Sequence, residues 1–114
     1  MTLDDVGSEL ELSPRELENL RPENPELIVL DCREPAEIAL STLPRTVRIP
    51  MGEIPDRLAE LNAEGDIVVM CHHGVRSLRV AEWLQRRAGF RHVKSLRGGI
   101  DAWSREVDPT LPRY

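Results

Sequence analysis

At 114 residues the chain has room for one compact domain and excludes a two-domain architecture. With 40% hydrophobic and 31% charged residues its composition is ordinary for a globule, away from the disordered, collagen-like and membrane extremes. Fifteen Lys and Arg against 20 Asp and Glu leave a net charge of −5, which argues against a nucleic-acid or anionic-membrane binder and requires any anion site to be built locally.

Apolar runs such as residues 27–30 and 67–71 are far shorter than the roughly 18 residues that span a bilayer. The start, Met-Thr-Leu-Asp-Asp-Val, is acidic and lacks the basic and apolar regions of a signal peptide. A cytoplasmic, reducing location is therefore expected, with Cys32 and Cys71 as free thiols. Two Cys and three His (His72, His73, His92) are too few and badly spaced for a structural zinc site, and no metal is expected.

In chain order, Ser13-Pro14-Arg15-Glu16 reads as a capping box with Pro at the first helical position, and Leu12 and Leu17 as a hydrophobic staple, so a short helix should run to about Leu20. Leu27-Ile28-Val29-Leu30, ended by Asp31, has the pattern of a strand buried on both faces. A short helix follows over 34–40, then a strand over 47–49 stopped by Pro50. Ile54, Leu58 and Leu61 give the stripe of another helix ending near Gly65. Residues 67–70 form a second buried strand, and Cys71-His72-His73-Gly74 a tight loop from which a helix opens over 75–88. On that helix Leu78, Ala81, Leu84 and Ala88 share one face, Arg79, Glu82 and Arg86 another, and Gly89 is the stop. A last strand over 93–96 precedes Gly98-Gly99 and a short helix through Ala102 and Trp103. Strands alternating with helices imply an α/β fold, a mainly parallel central sheet flanked by helices on both faces, in a single domain over 1–114. The segment 108–114, with two prolines, is expected as an extended C-terminal tail on the surface or against a partner.

Ligands in such sheets bind beyond the C-terminal strand ends, so Asp31, Cys32 and Cys71 belong to one rim. Cys71 ends a strand and precedes a helix whose first N–H groups have no internal partner. Those donors, with Gly74 free to take positive φ and with Arg76 and Ser77 close by, favour a sulfur anion and make Cys71 a candidate nucleophile. A lone cysteine after a buried strand otherwise reads as a small packed hydrophobe.

Cys71-His72-His73-Gly74-Val75-Arg76-Ser77 resembles the active-site loop of rhodanese-like sulfurtransferases. Leu30-Asp31-Cys32-Arg33-Glu34-Pro35 is similar to that family's Asp-x-Arg-Glu signature, and Leu96-Arg97-Gly98-Gly99-Ile100-Asp101-Ala102-Trp103 to its Gly-Gly-x-x-x-Trp segment. The ending Asp108-Pro109-Thr110-Leu111-Pro112-Arg113-Tyr114 resembles rhodanese domains fused to the adenylylating enzymes of molybdopterin and thiamine sulfur insertion. The resemblance implies the rhodanese fold and a persulfide carried on Cys71. The loop His72, His73, Gly74, Val75, Arg76 and Ser77 would hold it, with Asp31, Arg33 and Glu34 in support. The implied partners are a small donor such as thiosulfate or a persulfide, and a thiol, cyanide, a sulfur-carrier protein or a cysteine desulfurase. No cofactor is implied. The chain departs from the family at Ser41-Thr42 and Leu43-Pro44-Arg45-Thr46, where Gly-His and Ile-Pro-Gly-Ala are usual.

Two other functions compete with sulfur transfer. A cysteine phosphatase or arsenate reductase would need a wider loop: Cys71 and Arg76 enclose four residues where phosphatase loops enclose five, and Met70 stands where a His is common. A non-catalytic interaction module would not need Cys71, Gly74 and Arg76 together. Arg76 either faces the bound anion or braces the loop through an acidic partner. His72 and His73 read as polar loop residues rather than metal ligands, and His92 as a surface residue. Cys32 reads as packing, the alternative being a thiol that resolves a Cys71 persulfide. Asp31, Arg33 and Glu34 read as capping or ion-pairing groups, and Trp83 and Trp103 as core or subunit-contact aromatics.

Overall fold

The computed structural model describes residues 1–114. The buried apolar runs assemble into a five-stranded, all-parallel sheet of β1 (Glu11–Leu12), β2 (Ile28–Asp31), β3 (Thr46–Arg48), β4 (Ile67–Met70) and β5 (Val93–Leu96), in the order β1-β5-β4-β2-β3. The helices are α1 (Pro14–Glu23), α2 (Pro35–Leu40), α3 (Val75–Arg87) and α4 (Gly99–Glu106), with 3-10 segments at Leu3–Val6 and Met51–Glu60. The α/β fold with a parallel sheet is thus as expected.

Side chains alternate along each strand, so one sequence feeds two cores. Leu30, Cys32, Val69 and Cys71 point to the face covered by α3 and the Met51–Glu60 segment, where Val80, Ala81, Leu84 and Ile54 meet them. Val29, Val68 and Met70 point to the other face, with Leu17 and Leu20 of α1 and Ile100 and Trp103 of α4. Trp103 is therefore a core residue, and Trp83 is half-buried at the edge of the first core.

The capping box forms as expected: Ser13 Oγ accepts from the Glu16 N–H at 3.1 Å and Glu16 Oε1 from the Ser13 N–H at 2.8 Å. Leu12 and Leu17 are both fully buried. Three elements differ from expectation. The first helix continues past Leu20 to Glu23, because Pro22 lies in the final turn, where the Asn24 N–H still closes onto the Leu20 carbonyl at 2.9 Å. The helix expected through Ile54, Leu58 and Leu61 is a 3-10 segment that breaks at Arg57 (φ −123°) and stops before Leu61. Pro55 lacks the amide that an α-helical ladder would use there. On α3 the buried positions are Ser77, Val80, Ala81 and Leu84, while Leu78 is only half-buried.

At Arg45 the backbone is left-handed (φ +59°), at the position where the family pattern has glycine. Arg21 Nη2 donates to the carbonyls of Pro44 (3.0 Å) and Arg45 (2.7 Å) and fastens this turn to α1.

Candidate active site

All strands point the same way, so the chain segments following Asp31 and Met70 emerge side by side. β2 and β4 are in register at Asp31 and Met70, and the Cys32 N–H continues the ladder to the Met70 carbonyl at 3.0 Å. Cys32 and Cys71 are thereby neighbours on the same face of the sheet, both 1% exposed.

Cys71 lies at the floor of a loop closed by the start of α3. Gly74 is the residue before that helix, at φ +95°. The Gly74 N–H reaches Cys71 Sγ at 3.1 Å and the Ser77 N–H at 3.3 Å. The second is one of the N-terminal helix donors that lack an intrahelical acceptor. The Cys71 thiol meets Ser77 Oγ at 3.4 Å, and Ser77 Oγ lies 2.8 Å from Ser95 Oγ of β5, all three buried. If Cys71 is deprotonated, the Ser77 hydroxyl can turn to donate to sulfur while accepting from Ser95, giving the anion a third donor. Ser95 was not singled out by sequence, where it is one polar residue in a strand.

The loop is held from below by the second glycine of the pair after β5. The Ile100 N–H donates to the Cys71 carbonyl (2.9 Å) and the Asp101 N–H to the His72 carbonyl (3.1 Å). Gly99, at φ +63°, lies so close that a Cβ there would fall 2.5 Å from the Cys71 oxygen and closer still to the His72 oxygen.

Arg76 has the acidic partner that a brace requires. Its Nη2 and Nη1 donate to Glu37 Oε1 and Oε2 at 2.7 and 2.8 Å. This guanidinium, foremost, holds the Glu37 carboxyl down at about 2, aided by the Glu34 N–H and the Tyr114 hydroxyl and opposed by burial. Glu34, the exposed residue capping α2, donates its N–H to Glu37 Oε2 at 3.1 Å and accepts from the Glu37 and Ile38 N–H groups at its carbonyl (3.0 and 3.2 Å). Asp31 and Arg33 form a buried pair: Arg33 Nη2 and Nε reach Asp31 at 2.8 and 3.0 Å, and Arg33 Nη2 also donates to the Ser41 carbonyl at 2.8 Å. Both side chains are buried at the end of β2.

The tail does not lie free on the surface. Ser104 Oγ donates to the Leu111 carbonyl, Arg113 pairs with Asp101 at 2.9 Å, and Tyr114 returns to the loop. Its ring stacks on His72 at 3.8 Å; its hydroxyl accepts from Arg33 Nη1 at 2.9 Å and donates to Glu37 Oε1 at 3.1 Å. Tyr114 and Glu37 thus join Ser95 as site-forming residues that sequence missed. Burial, and then His73, pushes the His72 imidazole below its ordinary range. His73 and Val75 are exposed at the mouth.

Burial, the neighbouring Cys71 and Asp31, in that order, push the Cys32 thiol up to about 12, so Cys32 is a protonated packing group at neutral pH. The closest approach to a metal-ligand set is His72, His73 and Asp101, whose ligand atoms lie within 4.8 Å of one another. Two features oppose an ion there. The imidazoles stack at 3.7 Å, so their in-plane lone pairs run side by side instead of converging, and Asp101 is already paired with Arg105 and Arg113.

The fold and this loop together define a class. The chain belongs to the rhodanese-like domain family, whose model matches residues 13–106. It is 35% identical over 101 residues to a protein named sulfurtransferase from Allochromatium vinosum, covering 89% of this chain and 94% of that one. It is 42% identical over 90 residues to a rhodanese-like/PpiC domain-containing protein 12, chloroplastic, of Arabidopsis thaliana, covering 75% of this chain but only 30% of that one. Adenylyltransferase and sulfurtransferase MOCS3 of Drosophila persimilis matches at 35% over 94 residues, 76% of this chain and 21% of the relative. Among solved structures, a rhodanese-like domain protein from Staphylococcus aureus superposes with a TM-score of 0.78 at 30% identity, over 93% of this chain and 99% of that one. No helix is long and apolar enough to cross a membrane.

Proposed function

We propose that the chain is a rhodanese-type sulfurtransferase that carries sulfane sulfur on Cys71. The observation that carries this reading is the arrangement of the Gly74 and Ser77 N–H groups and the Ser77 hydroxyl around one buried sulfur. Such preorganised donors favour a sulfur anion in place without reorganisation. The name of the Allochromatium relative, matched over nearly its whole length, supports the same activity.

The reaction is a two-step displacement. The Cys71 thiolate attacks the outer sulfur of thiosulfate or of a persulfide. A new S–S bond forms as the donor's S–S bond breaks, and sulfite or a thiolate leaves with the electron pair. The product on the enzyme is a Cys71 persulfide anion, for which the N–H groups of residues 72–77 are the counter-dipole. An acceptor, cyanide or a thiolate, then attacks the terminal sulfur. Thiocyanate or a new persulfide departs and the Cys71 thiolate is restored. With Arg76 engaged by Glu37, the loop offers backbone donors to one small anionic sulfur and no free guanidinium to a tetrahedral oxyanion, which disfavours phosphatase or arsenate chemistry. A sulfur-carrier protein is the fitting physiological acceptor class.

Intact-mass measurement after incubation with thiosulfate, or with glutathione persulfide, tests the proposal. One added sulfur, removable by cyanide, is expected in the wild type and in Cys32→Ser and absent in Cys71→Ser. Failure to load from either donor while Cys71 still alkylates would overturn it.

A further inference from the structure

Ser95 is a polar residue in a place that packing alone would fill with carbon. It stands in β5 opposite Val69 of β4 and is fully buried, on the face that α3 covers with Val80, Ala81 and Leu84. Its backbone N–H is already taken by the Leu10 carbonyl at 2.7 Å. A buried hydroxyl is costly unless it is hydrogen-bonded, and the one partner of Ser95 Oγ is Ser77 Oγ at 2.8 Å. Ser77 Oγ has one further partner, Cys71 Sγ at 3.4 Å. The three atoms form an unbranched chain between residues that are all buried.

Two hydroxyls that share one O···O contact can run in either direction. When the Cys71 thiol donates to Ser77 Oγ, Ser77 gives its own proton to Ser95. When charge rests on Cys71 Sγ, Ser95 donates to Ser77 and Ser77 to the sulfur. The O···O bond is kept both ways, so reversing the chain costs no hydrogen bond. A serine near a helix start commonly turns its hydroxyl onto a nearby backbone group instead. Ser77, the third residue of α3, bonds no backbone group through its hydroxyl. The contact with Ser95 holds that hydroxyl on the side of the sulfur.

We infer that Ser95 is a positioning residue for sulfur transfer, acting through Ser77 to hold a donor on Cys71 Sγ at the step in which that atom becomes the leaving thiolate. The inference rests on the sulfur-transfer reading and says which half of the reaction the hydroxyl chain serves. In discharge, the carbon of cyanide attacks the terminal sulfur of the persulfide. A C–S bond forms, the Sγ–S bond breaks with its electron pair left on Sγ, and thiocyanate departs. Negative charge appears on Sγ in this step, so a hydroxyl already aimed there lowers the barrier, and a second hydroxyl behind it polarises the first. In loading the charge moves the other way, from Sγ to the departing sulfite. There the same chain stabilises the starting thiolate and does not speed its attack.

The test times the two halves separately in single turnovers, by intact mass. Ser95→Ala deletes one oxygen and adds no atom, so the packing of β5 is kept. Discharge of the preloaded persulfide by cyanide should slow about fivefold, the worth of one ordinary hydrogen bond, while loading from thiosulfate on its alkaline plateau should not slow. In a Ser77→Ala background the link is absent, and adding Ser95→Ala should change discharge by less than about twofold. A second readout needs no sulfur transfer. The pH at which iodoacetamide alkylation of the Cys71 peptide is half-maximal should rise by about half a unit in Ser95→Ala, and should not move when Ser95→Ala is added to Ser77→Ala. The charged and titratable groups around the loop are the same in every variant: Arg76 with Glu37, Asp31 with Arg33, Cys32, His72 and His73. Discharge that does not slow, equal slowing of both halves, an alkylation profile that stays put, or the same loss with Ser77 absent would overturn the inference. A wild type that takes up no sulfur, with the alkylation shift present, would instead count against sulfur transfer and leave the hold of Ser95 on the Cys71 sulfur standing.

Discussion

Gly99→Ala isolates how the loop is shaped, because the glycine packs directly against the loop's main chain. The backbone there is left-handed, φ +63°, which costs an L-residue about 1–2 kcal/mol. Its Cβ would press on two carbonyl oxygens, those of Cys71 and His72, and both are main-chain atoms of the loop itself. To relieve the clash the loop and the start of α4 must separate. That loosens the bonds from the Ile100 N–H to Cys71 O (2.9 Å) and from the Asp101 N–H to His72 O (3.1 Å), each contributing about 1 kcal/mol. Less the roughly 0.5 kcal/mol returned by a stiffer unfolded chain, the substitution should cost about 3 kcal/mol, a large part of the 5–15 kcal/mol typical of a domain. Gly89→Ala is the matched control. It has a similar φ of +77° but nothing within 4 Å of its Cβ, so only the backbone cost of about 1 kcal/mol applies. Urea unfolding followed by tryptophan emission gives both values, and the iodoacetamide rate at Cys71 reports whether the loop donors have moved. If Gly99→Ala costs no more than Gly89→Ala, the loop does not rest on α4 as argued.

The parts of the molecule legible in sequence are those set by local chemistry or strict periodicity. The Ser13–Glu16 box, the buried runs of β2 and β4, and the glycine that lets α3 open out of the Cys71 loop each declare themselves within a few residues. Cys71, Gly74 and Ser77 came together because a strand, a tight loop and a helix start hold them within one short segment. What stayed hidden depends on distance along the chain. Glu37 and Arg76 are 39 residues apart and meet only because β2 and β4 are neighbours in the sheet. Tyr114 lies in a tail without periodicity, and its place against His72, Arg33 and Glu37 follows from the path of α4 and from Arg113 pairing with Asp101. Arg76 could not be assigned to substrate or brace from sequence, since the choice depends on Glu37. The two-residue β1 is too short to leave a periodic signal, and its pairing with β5 is supplied wholly by the sheet.

Arg33→Met should destabilise the fold by about 3–5 kcal/mol in urea titrations, because it leaves the Asp31 carboxylate buried without its cation; a loss below about 1 kcal/mol would show that water reaches the pair. Tyr114→Phe keeps the ring on His72 but removes the hydroxyl bonded to Arg33 and Glu37, so a loss of about 1–2 kcal/mol is expected. Tyr114→Ala should in addition move the His72 NMR titration up toward its ordinary range by exposing the ring whose burial depresses it, and an unmoved titration would deny that the tail covers the loop. The Glu37–Arg76 pair predicts a pH dependence. A carboxyl whose pKa is lower in the fold than in the unfolded chain stabilises the fold at pH values above its unfolded value, here 4.5, and that contribution is lost as pH falls toward about 2. The fall corresponds to at most about 3 kcal/mol. With the Arg76 and Glu37 side chains 31% and 22% exposed, solvent screening brings the expected share to about 1–2 kcal/mol. Other carboxylates, Asp101 among them, are also held low by arginines, so the total acid limb is not diagnostic. The difference between wild type and Glu37→Gln is. It should be about constant above pH 5 and shrink by 1–2 kcal/mol between pH 4.5 and 2, because the glutamine has no charge to lose. Two stability curves that stay parallel through that window would mean that Glu37 is not ionised against Arg76, and the clamp assigned to the loop would fall with it.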